Sequence, residues 1–325
     1  MEFRTKIDIS SFGFDISYAS RCIFVGSCFA ENIGNKLAAT KIPTSINPTG
    51  ILYNPFSICK SIKNALSGRK YGDDDVFLSG GTWNSFDFHS RFSNPDKTTC
   101  IANLNEANKT FANEIRNADV MFVTFGTAFI YEHAQSGEIV CNCHKQPEKI
   151  FKRRLLKVDE IVKMWTTCIE MLMTKNPNLR VVFTVSPIRH WRDGSHQNQV
   201  SKSTLHIAIN ELNSKFQHTG YFPAYEIMMD ELRDYRFYAP DMVHPSDVAV
   251  QYIWELFGDA FFSDQTKSNI ARIGKVIAAA NHRPINPHSD EYKLFCEKNL
   301  AEIERIKAEY GEIDFREEEG KFKGF

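Results

Sequence analysis

Hydrophobic and polar positions along this chain alternate between two periods. Short apolar runs rich in β-branched and aromatic residues, Ile23-Phe24-Val25, Val120-Met121-Phe122-Val123 and Leu179 to Val185, read as buried strands. Between them apolar residues recur at helical spacing, as in Phe29, Ile33 and Leu37, then Leu104, Ala107, Phe111 and Ile115. Ile161, Trp165, Cys168 and Leu172 mark a further helix, and Leu205, Ile209, Leu212 and Phe216 another. Phe56 to Leu66 adds a short helix, and Tyr221 to Tyr225 a last strand-like run. Strands alternating with helices build right-handed crossovers and a mostly parallel sheet covered on both faces. The expected fold class is α/β, a three-layer α/β/α sandwich. Ligands of such sheets gather at the carboxyl ends of the strands, where Ser27, Cys28, Gly126 and the segment after Val185 would converge.

Two regions depart from this alternation. Residues 67–94 are a Gly/Asp/Ser-rich insertion carrying Trp83, Phe86, Phe88 and Phe92, read either as a substrate platform or as a β-excursion packing its own small core. Beyond residue 263 come charged helices, Ile270 to Ala280 and Ser289 to Tyr310, and a Glu/Lys-rich end from Arg316 to Phe325 that reads as frayed. The expected organisation is a catalytic domain over residues 1–263 and a helical C-terminal extension over 264–325. That extension either packs across the domain or joins a second copy in a homo-oligomer.

Composition narrows the class. The 325 residues, 42% hydrophobic and 13% aromatic, can bury a sizeable core. A net charge of -1 offers no footprint for nucleic acid, and no long uncharged apolar run signals export or a membrane span. The eight cysteines are scattered, as reduced thiols of a cytoplasmic protein would be. Cys141-Asn142-Cys143-His144 lacks the second ligand pair of a structural zinc site, so no metal and no cofactor are expected.

Chemistry concentrates at two motifs. In Phe24-Val25-Gly26-Ser27-Cys28-Phe29-Ala30 a strand ends on glycine and hands two nucleophiles to a helix start, whose outward N–H groups favour developing negative charge. Far downstream, Asp241-Met242-Val243-His244-Pro245 places an acid and a base three residues apart. A loop there can fold Asp241 onto Nδ1 of His244 and leave Nε2 for the nucleophile, with Pro245 at the first position of the next helix. Arg189 and His190 follow the strand that ends at Val185; a guanidinium there suits a carboxylate or phosphate. His144 reads as an aid to substrate orientation or as a structural residue. The cluster from Arg233 to Tyr238 reads as a scaffold for the Asp241 loop.

Gly26-Ser27-Cys28-Phe29-Ala30 resembles the signature string of the GSCFA family, itself similar to the SGNH/GDSL hydrolases. Thr124-Phe125-Gly126-Thr127-Ala128, Asn142-Cys143-His144-Lys145, Ser186-Pro187-Ile188-Arg189-His190 and Leu232 to Tyr238 resemble further blocks of it, in order, so that similarity covers residues 20 to 260. The resemblance implies an SGNH, flavodoxin-like sheet and a triad completed by Asp241 and His244. Laid on the SGNH Gly-Asp-Ser, this chain puts Cys28 where the serine stands and Ser27 where the aspartate stands. Cys28 is favoured as the nucleophile, with Ser27 the competitor. Gly50 matches the oxyanion glycine, whereas Ala128 replaces the oxyanion asparagine, leaving Asn54 or Asn142 to substitute. The implied function is that of an esterase or acyltransferase working through a covalent acyl-enzyme on an O-acyl small molecule or glycan. The alternatives are a non-catalytic glycan- or metabolite-binding protein using the same pocket, and a redox-sensing thiol at Cys28.

Overall fold

A computed structural model of the chain describes residues 5–311 and 313–324. Five parallel strands form its central sheet: β1 (Cys22–Gly26), β2 (Thr44–Ile46), β3 (Val120–Phe125), β4 (Arg180–Val185) and β5 (Thr219–Tyr221). They lie in the order β5-β4-β3-β1-β2, each pair parallel. The order reverses between β1 and β3, and loops leaving the two strands diverge there to open a crevice. β3 and β1 are buried along their whole length, and β4 from Val181 onward, because both sheet faces are covered.

Alternate strand residues serve opposite faces. Val25, Met121, Val123, Phe125, Val181 and Phe183 pack with the helices Pro55–Ser67, Lys97–Asn117, Val158–Lys175 and Gly194–Lys215, here α2 to α5. At its centre the Trp165 ring meets Phe125 and Phe183 edge-on, its indole N–H donating to the Pro55 carbonyl at 3.0 Å. On the other face Phe24 stacks on Phe122, and α1 (Cys28–Ala39) approaches so closely at Gly34 that an added Cβ would press on Ile46 and Phe24. The fold is thus a three-layer α/β/α sandwich.

The insertion after α2 packs its own core. A hairpin of Phe77–Ser79 and Thr82–Asn84 covers a cluster of Tyr71, Val76, Phe88, Cys100 and Leu104, against which Trp83 and Phe92 rest. Tyr221 to Tyr225 is strand only as far as Tyr221; Pro223 turns the chain into a short helix at Ala224–Glu226.

The chain forms two compact units, one made chiefly of Arg21–Gly34 and Thr44–Trp254, the other of Ser10–Ser20, Asn35–Pro43 and the chain from Glu255 onward. In the second, Arg272 ties Asp264–Ala280 to Asp290–Tyr310 through Glu302 and Glu309, each at 2.6 Å. The end expected to fray is instead a helix over Arg316–Lys323. Its Phe322 is buried, and buried Glu318 meets Lys41 Nζ at 2.8 Å, pairings that a charged composition conceals. Phe325 lies outside the described residues. Among these no helix is long and apolar enough to cross a membrane.

Candidate active site

The turn after β1 is held from several sides. Gly26 adopts a φ of +133°, its N–H donates to Asn47 Oδ1 at 2.8 Å and its carbonyl accepts from Leu52 N–H at 3.0 Å. Asn47 leaves β2 in a left-handed conformation and donates its own N–H to the Phe24 carbonyl, so the two strand exits are tied together. Ser27 comes next, only 2% exposed, with Oγ accepting from Phe29 N–H at 3.3 Å and its carbonyl from Ala30 N–H at 2.8 Å. Its hydroxyl thus caps α1. Cys28 opens α1 and is partly exposed. The two side chains differ in place: Ser27 Oγ secures the helix start, while the Cys28 thiol is the more accessible of the two. Burial pushes the Cys28 thiol up; its own N–H, Phe29 N–H and Lys202 pull the other way, and Glu31 adds to the rise.

The second motif folds as its spacing predicts. Met242 takes a left-handed φ of 59°, and the turn carries Asp241 back onto the backbone it precedes. Asp241 Oδ1 accepts from Val243 and His244 N–H, each at 2.9 Å, and Oδ2 meets His244 Nδ1 at 2.6 Å. Those two N–H groups, His244 first, and then the imidazole hold the Asp241 carboxyl down to about 2. An ionised carboxylate on Nδ1 fixes the proton there and leaves Nε2 as an acceptor. The loop is clamped by Ala239 N–H on the His244 carbonyl and Ser246 N–H on the Phe237 carbonyl, both 2.8 Å, which gives the segment before it a supporting part. Pro245 does not begin a helix. It pairs with Tyr238 in an isolated bridge, and the helix starts at Asp247.

Ser27, Cys28 and His244 line one pocket of about 810 Å³, together with Asn54, Asn142 and Arg189. Asn54 caps α2 by accepting Ser57 N–H on Oδ1 at 2.8 Å, which leaves its Nδ2 as a donor at the pocket it lines. Asn142 Oδ1 accepts His144 N–H at 2.8 Å. Three other expectations are corrected. Gly50 is no oxyanion donor: its N–H is spent on the Asn47 carbonyl at 2.7 Å and it lies outside this pocket. Gly126 also gives its N–H away, to the Tyr53 carbonyl at 2.8 Å, and acts by closeness, since an added Cβ would come within 3.5 Å of Ser27 and His190 Nε2. His144 does not reach the pocket, because its Nε2 lies 2.7 Å from the Ser85 carbonyl and its ring is packed on Phe77.

Two residues beneath the pocket were not singled out as site residues from sequence. His190 lines it with Nε2 buried and without a hydrogen-bond partner among the described residues; burial first, then Lys202, Arg153 and His244, push its pKa down to about 4, so the ring is neutral. Lys202 is wholly buried on α5, its Nζ donating to the Gly126 carbonyl at 2.7 Å and the Ser186 carbonyl at 2.6 Å. It ties together the exits of β3 and β4. Its place three residues before Leu205, on the apolar stripe of α5, was the signal available.

Burial, with Arg189 adding, lowers the Lys202 pKa to about 7, while Cys28 acts in the opposite sense. The unfolded chain, where a lysine keeps its ordinary 10.5, then binds the proton more readily, so this residue makes stability rise with pH between about 7 and 10.5. Lys202→Met is expected to remove that rise and leave two carbonyls unpaired. Denaturant midpoints at pH 6.5 and 9.5 check it: the deficit of the variant should be larger at the higher pH, and an equal or smaller one would refute a depressed Lys202.

Two family models match the chain: the GSCFA family over residues 21–257, and the C-terminal domain of GSCFA domain proteins over residues 273–324. No protein of curated function matches. Among solved structures, similarity is found to an acetyl xylan esterase, Est2A, from the rumen bacterium Butyrivibrio proteoclasticus, at 13% identity and a TM-score of 0.40. That match covers 75% of this chain and 64% of the esterase, so the chain spans somewhat less than two thirds of that protein's length. A family 3 carbohydrate esterase of Clostridium thermocellum matches at 11% identity and a TM-score of 0.33, over 74% of this chain and 94% of the other. With its signature string on the turn after β1 and a family model spanning nearly all of the sandwich, the chain belongs to the GSCFA family.

Proposed function

We propose that the protein is an ester-directed acyl enzyme, a hydrolase or acyltransferase, that works through a thioester on Cys28. The observation that carries the reading is that Cys28 and His244, whose Nδ1 is held by Asp241, line one pocket. As Sγ attacks the ester carbonyl carbon, His244 Nε2 takes the thiol proton and the carbonyl electrons move onto oxygen. The Cys28 N–H, at the open end of α1, and Asn54 Nδ2 are the donors for that oxyanion. Collapse expels the alkoxide, which leaves with the proton from His244, and the acyl group stays on sulfur. Water or an acceptor hydroxyl then attacks the thioester, His244 takes its proton, and Sγ departs to regain it. Asp241 remains ionised throughout and orients the ring. An O-acyl sugar is the substrate class in view.

The expected result with p-nitrophenyl acetate is an acetyl adduct that peptide mapping places on Cys28 and neutral hydroxylamine removes, as it does thioesters. An adduct on Ser27, stable to hydroxylamine, would transfer the role. The occupied amides of Gly50 and Gly126, which thin the oxyanion donors, favour the non-catalytic binding reading. Absence of any adduct across several acyl lengths would decide for it.

A further inference from the structure

We propose that Arg189 anchors the carboxylate of an acidic sugar residue held between two adjoining pockets. The inference deepens the acyl-ester reading and rests on it only for what is cleaved; the anchoring is a matter of binding alone.

Arg189 lines both the pocket of Cys28 and a neighbouring one of about 280 Å³, and Val243, next to His244, lines both as well. The first pocket holds three arginines, of which two are already neutralised. Arg153 pairs with Asp193, and Arg192 with Glu148 at 2.5 Å. Arg189 meets no carboxylate among the described residues. Its Nη2 donates to the neutral Gln199 Oε1 at 3.1 Å, and its Nε is buried with no hydrogen-bond partner among the described residues. A guanidinium left short of acceptors beside a pocket fits a planar carboxylate, which can take two parallel N–H donors.

The second pocket supplies the rest of the recognition. Trp191, 49% exposed, has the Arg189 guanidinium over its ring at 5.6 Å, and Tyr235, 77% exposed, stands 6.2 Å from Tyr238, ring centre to ring centre. Exposed aromatic faces with a polar rim suit the C–H face of a pyranose. The other charges there, Asp234 and Arg233, already have partners: Asp234 accepts from Arg236 N–H at 2.9 Å, and Arg233 lies 3.8 Å from Asp230. Among the described residues Arg189 is therefore the arginine of the two pockets that has no carboxylate partner, with Lys145 a second cation on the lining of the first.

Calorimetric titration of the full chain with trigalacturonic acid and with α-1,4-galactotriose, the same chain with a hydroxymethyl group for each carboxylate, tests the proposal. The acid is expected to bind about tenfold or more tightly than the neutral sugar. Arg189→Met should erase that preference, Arg189→Lys should keep part of it, and Tyr235→Ala should weaken both sugars alike. Equal affinities in the unaltered protein, no binding of either sugar, or a preference that survives in Arg189→Met would each overturn it. Because p-nitrophenyl acetate carries no acid group, the adduct on Cys28 and the sugar preference can fail separately.

Discussion

Cys28→Ala should lose ester turnover and acetyl adduct together, by roughly 10⁴-fold or more, since removing the attacking atom leaves only binding and the oxyanion donors to act. Its fold should be unharmed. Cys28 is the first residue of α1 and partly exposed, and alanine is the better helix former. Ser27→Ala is expected to behave oppositely. It removes the oxygen that accepts Phe29 N–H, at a cost of about 1 kcal/mol in stability, while turnover survives in larger part. Initial rates with an activated ester, read beside denaturant midpoints, separate the two. Turnover that persists in Cys28→Ala and vanishes in Ser27→Ala would reverse the assignment.

The largest structural effect is expected at Gly26. An added Cβ would lie 2.2 Å from the Thr124 carbonyl oxygen and 2.9 Å from its carbon, both in the backbone of the neighbouring central strand. Neither can move aside as a flexible side chain would. The φ of +133° is moreover a conformation that alanine resists, and the bonds to Asn47 and Leu52 prevent the turn from relaxing. Gly26→Ala should therefore destabilise the protein by about 3 kcal/mol or more. Gly68→Ala is the control, because Gly68 has a φ of +68° with open space around it, and should cost about 1 kcal/mol. Urea midpoints of both variants settle the comparison. A Gly26→Ala midpoint close to that of Gly68→Ala would contradict the tight approach of β1 to β3.

What could be read in advance follows the reach of each interaction. Val120 to Val123 and Leu179 to Val185 were legible as strands because burial on both faces demands mainly apolar runs. The Asp241–His244 contact was legible because three residues of loop suffice to close it. Gly50 was misplaced because where its N–H points depends on Asn47, whose own position is set by Phe24 and Gly26 across the sheet. His144 likewise looked available until the hairpin carbonyl of Ser85 claimed its ring. Lys202 was hidden by the habit of assigning lysines to solvent; its two acceptors come from strand exits 76 and 16 residues away. Local chemistry was visible in the letters, and the long-range bonds that reserve or release a donor were not.

The clamp that Lys202 places on Gly126 and Ser186 has a kinetic corollary. The floor of the cleft is bonded into the buried sheet, whereas the Asp241–His244 arm, half open to water and tethered by a few backbone bonds, is expected to loosen first. Warming would thus slacken the proton carrier before it disturbs the sulfur, and loss of turnover would precede melting.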